Sequence, residues 1–328
     1  SFTPVSGPIS SDTTWTLENS PYVVDSVSIL EGVTLTIEPG VVVKFAYPQS
    51  EIYIGGNLKS QGTASQPIYF TSIKDDSVGG DTNGDGSATQ PYPGDWTTIN
   101  FRENSSSTLS NTIIRYGDHR EFWWIYPPGA VSMDGGSLVI SDSQISNSFM
   151  HNIKLLGGNL YINNSKISQV DWYNIYQQGG FINIISSEIS DSNYYGFYQV
   201  TGTAIIETSD FHNNQYGIYS FGGNLTITNN NFHHNVWATY LNARIDLAHS
   251  GNSAIDNQFS GIALWGDLAR DQTWNVDLPY LVLSSSTDAT TSTHSIVIPS
   301  GVTLTMEPGV VVKFAYPQSA IYIGGNLK

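Results

Sequence analysis

Cysteine is absent from this chain of 328 residues, and charged residues make up only 12% of it. The absence of cysteine excludes disulfide bonds, thiolate metal sites and thiol catalysis. The 12 lysine and arginine residues are outnumbered by 28 aspartate and glutamate residues, and the formal net charge is −16. A chain this acidic repels phosphate backbones and anionic lipid headgroups. We therefore expect no nucleic-acid partner and no anionic membrane partner.

Long apolar runs are also missing, because no stretch approaches the roughly 18 residues that a membrane-spanning helix needs. We expect no membrane insertion in this segment. Glycine, serine, threonine, asparagine and tyrosine take the place of the missing charges. That composition is typical of extracellular proteins made of short strands and many turns. It favours an all-β chain in an extracellular or cell-surface location.

Residues 32–59 return almost verbatim as residues 301–328, at an offset of 269 residues. Only Ile37 against Met306 and Glu51 against Ala320 differ. Repetition this close at a fixed offset indicates a recently duplicated module and a repeat architecture. We predict one module over residues 1–265 and the start of the next over residues 266–328.

A shorter period of 21 or 22 residues marks the middle of the chain. Gly-Gly or Thr-Gly pairs begin each unit, at Gly135, Gly157, Gly179, Thr201 and Gly222. An alternating apolar pair follows each of them, then a single apolar residue, then another later in the unit. Apolar residues at a spacing of two predict strands and exclude a solenoid made of helices. We predict three short strands in each rung of about 22 residues.

Such a rung is what a right-handed parallel β-helix requires, and the central region resembles that fold family. The resemblance implies an all-β solenoid with apolar side chains inside and small polar residues at its corners. The flanking segments resemble secreted bacterial and archaeal tandem-repeat surface proteins. One polar column fits a corner ladder in which like side chains bond from rung to rung, and it contains Ser143, Ser165, Ser187, Ser209 and Asn230.

An acidic insertion at residues 75–95 contains the sharpest local motif. Asp81, Asn83 and Asp85, followed by glycine, reproduce the first half of a calcium-binding loop. Tyr92 stands where an EF-hand has its bidentate glutamate, so the motif is similar to the dockerin-type DxNxDG half loop. We predict a structural calcium ion; a solvated acidic turn without metal is the alternative. The remaining oxygen ligands would come from Asp75, Asp76 or Asp95.

Aromatic residues recur in two columns at the rung period. The first column contains Tyr173, Tyr195, Tyr216 and Trp237, and the second contains Tyr176, Tyr198, Tyr219 and Tyr240. We predict that the second column faces outward. Three interpretations stay open, namely stabilisation by stacking, contact with a partner protein, and a platform for sugar rings. A tryptophan-rich insertion at 118–128 is a further candidate to cover these columns.

Many right-handed β-helices degrade polysaccharides, and they use clustered acidic residues. Glu188 and Asp210 lie one rung apart in an outward column, about 5 Å apart at the backbone, which fits a retaining pair. The alternative is a surface charge ladder in which Lys166 pairs with Glu188. His212 and His233 also stack, with no acidic residue in register beside them. We therefore expect no catalysis, with Glu188 and Asp210 as the only candidate acids.

The sequence leads us to predict a non-catalytic extracellular structural repeat protein. It would be a filament, stalk or surface-layer component whose copies stack end to end, with adhesion to a cell-surface glycan as a further role. The alternative is a glycan-binding or polysaccharide-degrading β-helix module that uses the aromatic columns, Glu188 and Asp210.

Overall fold

The computed structural model describes residues 1–119, 128–283 and 295–328. Over these residues the chain is a parallel β-solenoid of about 14 turns, with about 22 residues in each turn and no α-helix. Among the described residues one 3-10 turn, Leu17–Asn19, interrupts the strands. The described part of the chain has no helix of the length and apolarity that crossing a bilayer would take. The predicted all-β parallel β-helix is therefore confirmed.

Short strands account for most of the described residues. They are β1 Thr3–Ile9, β2 Thr13–Trp15, β3 Tyr22–Ile29, β4 Thr34–Ile37, β5 Val42–Phe45, β6 Glu51–Ile54, β7 Asn57–Gln61, β8 Ile68–Ser72, β9 Thr98–Phe101, β10 Ser106–Ser110, β11 Thr112–Arg115, β12 Val131–Met133, β13 Ser137–Ser141, β14 Gln144–Ser148, β15 His151–Leu155, β16 Asn159–Asn163, β17 Lys166–Val170, β18 Tyr173–Gln177, β19 Phe181–Ile185, β20 Glu188–Ser192, β21 Tyr195–Gln199, β22 Thr203–Glu207, β23 Asp210–His212, β24 Tyr216–Ser220, β25 Asn224–Thr228, β26 Asn231–His233, β27 Trp237–Asn242, β28 Asp246–Ser250, β29 Ser253–Ile255, β30 Phe259–Asp267, β31 Gln272–Trp274, β32 Tyr280–Val282, β33 Ile296–Ile298, β34 Thr303–Met306, β35 Val312–Phe314, β36 Ile321–Ile323 and β37 Asn326–Leu327.

Each turn contributes one strand to each of three faces. The first face is the sheet β2-β4-β7-β10-β13-β16-β19-β22-β25-β28. The second face contains β14, β17, β20, β23 and β26, and the third contains β15, β18, β21, β24 and β27. Equivalent residues of successive turns lie in parallel register, for example Ile167 with Ile189 and Ile175 with Phe197. Outward side chains of one turn therefore stack directly on those of the next.

The core is the set of apolar columns that the sequence predicts. The single apolar residue of each turn is fully buried, and the column contains Ile145, Ile167, Ile189, Phe211 and Phe232. Burying each such side chain stabilises the fold by about 1.5–3 kcal/mol. The apolar residues from Ile52 to Leu58 lie in two strands, β6 and β7, which are divided at Gly55 and Gly56. A Cβ at Gly56 would lie 2.1 Å from the Val33 carbonyl oxygen, so that corner requires glycine.

Ladders of polar side chains run along both corners of the second face. In the predicted serine column the backbone N–H of Ser165 donates to Ser187 Oγ at 3.1 Å, and the same bond recurs from turn to turn. The bonds thus join backbone to side chain, whereas we had expected side chain to side chain. A second ladder of asparagine amides lies at the other corner, where Asn214 Nδ2 donates to Asn235 Oδ1 at 3.1 Å. Both ladders satisfy buried backbone groups that no strand partner reaches.

The strand ladder continues without interruption past residue 265. Strand β30 pairs with β27 on one side and with β32 and β33 on the other. His249 Nδ1 lies 3.0 Å from Asp277 Oδ2, and its Nε2 lies 2.7 Å from the hydroxyl of Tyr280. These buried bonds join the turn before this point to the turn after it. The predicted module boundary at 265 stays a prediction.

Candidate functional site

A groove follows the corner between the first and second faces. Its cavity has a volume of about 630 Å³, and its lining includes Asp142, Gln144, Lys166, Glu188, Thr208 and Asp210. Lys166, Glu188 and Asp210 open successive strands of the second face, so the in-register stacking of the solenoid brings them into one row. The charged column that the sequence singled out therefore lines a groove.

The carboxylate of Glu188 contacts three side chains, those of Lys166, Ser190 and His212. Its Oε1 accepts a hydrogen bond from Lys166 Nζ at 2.7 Å, which agrees with the predicted charge ladder. The same oxygen lies 3.1 Å from His212 Nε2, and Ser190 Oγ donates to it at 3.1 Å. The lysine comes from the turn before Glu188 and the histidine from the turn after it.

Asp210 makes the equivalent contact one turn later. His233 Nε2 lies 3.0 Å from Asp210 Oδ1, and Asn231 Nδ2 donates to the same oxygen at 3.2 Å. His233 Nδ1 lies 2.7 Å from His234 Nδ1, so a hydrogen-bonded chain runs from Asp210 through His233 to His234. The rings of His212 and His233 stack with centroids 4.9 Å apart.

The two histidines have no acidic residue in register beside them, as expected, but each has an acidic partner on the diagonal. Each imidazole bonds a carboxylate of the preceding turn, two positions earlier along the strand, rather than one in its own column. The sequence signal was present, because Asp210 and His212 stand two residues apart in one strand and both point outward. A comparison of residues along columns alone misses a diagonal pair of this kind.

The surroundings of Glu188 keep its carboxylate ionised. Partial burial acts to raise its pKa, but the hydrogen bonds from Lys166, Ser190 and His212 and the charge of Lys166 outweigh burial, so the pKa lies below its ordinary value. A carboxyl group in this state does not donate a proton at neutral pH. Glu188 therefore does not fit the acid of a hydrolase pair; it fits a group that orients the imidazole of His212.

The acidic insertion brings three carboxylates together. One oxygen from each of Asp76, Asp81 and Asp85 lies within 4.8 Å of the other two. Asn83 Nδ2 donates to Asp85 Oδ2 at 2.9 Å, and Asp81 accepts the N–H of Gly84 at 2.8 Å, which forms the turn. The hydrogen bond from Thr89 is the main cause of a lowered pKa at Asp85. Clustered carboxylate oxygens are the ligands that calcium prefers.

Asp75 does not belong to this cluster. Its carboxylate accepts a hydrogen bond from Arg115 Nε at 2.8 Å, and its side chain is buried. Asp95 is likewise engaged, because its Oδ1 lies 2.7 Å from Lys74 Nζ. The sequence could not exclude these two acids as ligands, since their partner cations, Arg115 and Lys74, stand 40 and 21 residues away in the chain.

A buried lysine of the solenoid bonds the backbone of the same insertion. Lys44 Nζ donates to the Gly80 carbonyl oxygen at 2.6 Å. Burial lowers the pKa of Lys44, while the charges of Asp75, Asp76 and Asp81 act in the opposite direction. Part of the negative charge of the loop is therefore already balanced by protein cations.

The aromatic columns stand on the outside of the third face and pack mainly against themselves. Tyr173 and Tyr195 stack with centroids 5.0 Å apart, and Tyr198 and Tyr219 with centroids 5.1 Å apart. Rings of one column meet rings of the other edge to face. Burial raises the pKa of Tyr195 to about 12. Each stacked face is occupied by a neighbouring ring, so the columns present ring edges and hydroxyls to the outside and not open ring faces.

The remaining residues of the two columns follow the same arrangement, except at one end. Tyr216 stacks on Tyr195, Tyr176 on Tyr198 and Tyr240 on Tyr219. Trp237 instead is buried and stacks on Phe259 at 3.8 Å. The geometry favours a stabilising role, and contact with a partner stays a prediction. Most of the insertion at 118–128 lies outside the described residues.

The comparison with protein families identifies the fold by sequence. The family described as "Right handed beta helix region" matches residues 97–267, which is more than half of the chain. The chain therefore belongs to the right-handed β-helix family. No curated protein matches it.

Solved structures with a similar course of the chain include alginate and mannuronan epimerases. A mutant of the periplasmic alginate epimerase AlgG has 9% identity and a TM-score of 0.45, over 99% of this chain and 77% of that chain. The A-module of the Azotobacter vinelandii mannuronan C-5 epimerase AlgE4 has 9% identity and a TM-score of 0.39, over 100% and 89%. A second AlgG structure has 9% identity and a TM-score of 0.32, over 97% and 84%.

These matches contradict our main functional expectation. The sequence led us to predict a non-catalytic structural component that assembles end to end, whereas the similar structures are enzymes that modify a polysaccharide. They agree better with the alternative, a glycan-binding or polysaccharide-degrading module. Since an identity of 9% shows a common fold alone, the function has to be argued from the residues of this chain.

Proposed function

We propose that the protein is a β-helix module, outside the cytoplasm, that binds a polysaccharide and modifies it by acid–base chemistry. The observation that carries the proposal is the groove at the corner of the first and second faces. Two of its lining carboxylates, Glu188 and Asp210, each hold an imidazole of the following turn. A carboxylate that orients a histidine is a common arrangement for proton transfer.

The hydrogen bonds decide which nitrogen of each ring is available. Because Glu188 is an acceptor, Nε2 of His212 carries the proton in the neutral ring, which leaves Nδ1 to accept one. The same argument places the proton of His233 on Nε2, toward Asp210. Its Nδ1 then accepts the Nδ1–H of His234, which extends the hydrogen-bonded chain to a second ring. Imidazoles that are oriented by a carboxylate remove and return protons at sugar atoms.

The charge of the groove selects among polysaccharides. Asp142, Glu188 and Asp210 line it together with Lys166 as the cation among its described lining residues, and the whole chain carries a net charge of −16. A polyanion such as a polyuronate is repelled by this surface. We therefore propose a neutral glycan, for example one exposed on a cell surface, as the substrate.

Two further parts of the proposal concern the acidic loop and the assembly. We propose that Asp76, Asp81 and Asp85, with the Asn83 side chain beside them, hold a structural calcium ion, as the resemblance to the dockerin-type DxNxDG half loop implies. Their clustered oxygens support this. Stacking of one copy on another stays a prediction from the sequence.

The test is incubation of the full chain with neutral polysaccharides such as xylan, mannan and β-glucan. Products are followed by mass spectrometry and by NMR of the sugar protons, which detects cleavage and epimerisation alike. We expect Asp210→Asn and His212→Gln each to lower the rate by about 100-fold or more, the usual contribution of acid–base groups. Asp246→Asn is the matched control, because this exposed carboxylate on the first face pairs only with Arg270 in the described contacts. Unchanged rates in both groove variants, or no product from any polymer, would reject the proposal.

A further inference from the structure

A second groove follows the opposite corner of the second face, where it meets the third. Two cavities of about 550 and 680 Å³ lie along it and share Asn193 in their linings. Their linings run from Asn147 in one turn to Asp256 five turns later. At roughly 4.8 Å per turn the groove extends along the rod for about 24 Å. It is therefore elongated and parallel to the solenoid axis.

The floor of this groove has one hydrogen-bonding side chain in each turn. The corner residues all have left-handed backbone angles, with φ between 54° and 59°, and they are Asn147, Gln169, Asp191, Asn213, His234 and Asp256. Asparagine and aspartate tolerate this conformation better than most residues, which explains part of the composition of the column. The regular geometry presents polar groups at a constant repeat.

These side chains orient one another along the axis. Asn147 Nδ2 donates to Gln169 Oε1 at 3.1 Å, and Asn213 Nδ2 donates to Asp191 Oδ1 at 3.1 Å. A primary amide has two N–H donors and a carbonyl acceptor. After one such bond each amide still has a donor or an acceptor for a hydroxyl group. Because the neighbouring side chain already holds the amide in place, less side-chain entropy is lost when a ligand binds.

Exposed aromatic rings border the same groove. Tyr92 and Phe149 line one of its cavities, and 69% of the Tyr92 surface is exposed. Trp172 and Tyr194 follow the groove residues Asp171 and Asn193 in the chain and are also exposed. Rings of this kind contribute apolar contact area next to polar groups. Amides beside aromatic rings match the alternating hydroxyl and C–H surface of a sugar.

The charge of the lining restricts the ligand further. Asp171, Asp191 and Asp256 are acidic, and lysine and arginine are missing from the described lining residues. An anionic polymer is disfavoured by such a lining. We infer that this corner groove is a second glycan site, which binds a neutral polysaccharide lengthwise along the solenoid. The inference concerns binding alone and does not depend on chemistry in the first groove.

The experiment measures binding of cellohexaose, xylohexaose and mannohexaose by isothermal titration calorimetry, with hexagalacturonate as the anionic probe. The test variant is the double substitution Gln169→Gly and Asn213→Gly, because glycine keeps the left-handed angle while removing the side chain. Asn104→Gly is the matched control, since Asn104 has a φ of 70°, is exposed and lines neither groove. Phe149→Ala is a second variant that leaves the left-handed residues in place.

We expect at least one neutral hexasaccharide to bind, at least 10-fold weakening in the double variant and in Phe149→Ala, and no change in Asn104→Gly. Binding of hexagalacturonate in preference to the neutral sugars would overturn the inference, as would binding that survives both variants. Loss of binding in Glu188→Gln but not in the corner variants would place the ligand in the first groove. That result would support the proposed function and reject the second site.

Discussion

Replacement of Asn235 by alanine removes the centre of the amide ladder between the second and third faces. Asn235 Nδ2 donates to the Phe211 carbonyl oxygen at 2.8 Å and to Asn257 Oδ1 at 2.9 Å. Its Oδ1 accepts the backbone N–H of Asn214 at 3.0 Å. The substitution therefore leaves one buried carbonyl and one buried N–H without this partner. Each such group costs about 1–3 kcal/mol, so we expect a loss of about 2–6 kcal/mol in the free energy of unfolding.

Urea unfolding followed by tryptophan fluorescence measures this loss, with amide hydrogen exchange to locate it. Asn224→Ala is the control, because Asn224 is exposed and bonds only Thr203 Oγ1 at 3.4 Å through its side chain in the described contacts; we expect less than about 0.5 kcal/mol there. Asn235→Ser tests the mechanism. Ser187 at the other corner accepts the backbone N–H of Ser165 in the preceding turn and donates to the Ile185 carbonyl oxygen two residues earlier. Serine at 235 should therefore restore part of the loss. Equal stability of Asn235→Ala and Asn224→Ala would refute the reasoning.

Three further predictions concern ionisable groups. The lowered pKa of Glu188 means that its contacts stabilise the fold above pH 4.5, the ordinary value of glutamate, and that this contribution is lost as the pH falls below it. Urea midpoints from pH 6 to 3 should fall less in Glu188→Gln than in the unaltered protein, and parallel curves would contradict this. Burial raises the pKa of Tyr195 and Tyr240 to about 12, so stability should fall as the pH rises from about 10 through 12. Absorbance at 295 nm should show their phenols ionising late, and complete ionisation near pH 10 in the folded protein would be inconsistent with burial. Calcium at about 100 times its Kd should add about 2.7 kcal/mol, measured as a higher Tm than in EGTA. Asp81→Asn should abolish that difference, whereas Asp75→Asn should lower Tm with and without calcium; equal Tm values in calcium and EGTA would exclude the ion.

The core could be predicted from the sequence because a solenoid repeats its own pattern. Residues such as Ile167 and Ile189 recur at the rung period, and in-register stacking converts that period directly into contact. The acid–histidine pairs could not be predicted in the same way. Glu188 and His212 are neighbours only because outward side chains of adjacent turns lean diagonally across the second face, which a column alignment does not contain.

Distant partners explain the other differences. Asp75 and Asp76 are adjacent in the sequence, but Asp75 pairs with Arg115, whereas Asp76 lies in the carboxylate cluster. The aromatic columns were visible as periodic residues, whereas the orientation of their rings depends on packing between columns. Tyr195 illustrates this, because it stacks on Tyr216 and also meets Tyr219 edge to face. Residue type and spacing alone do not decide which surface of a ring remains open.

The pairing of β30 with strands on both sides has a mechanical consequence. In repeat proteins each unit is stabilised mainly through its neighbours. Because Phe259–Asp267 belongs to the ladder of the turn before it and of the turns after it, no flexible linker separates the residues on either side of 265. Tension along the rod is therefore carried across this point by sheet hydrogen bonds and by the bonds of His249. Under tension the two sequence copies should behave as one continuous body and should not unfold one after the other.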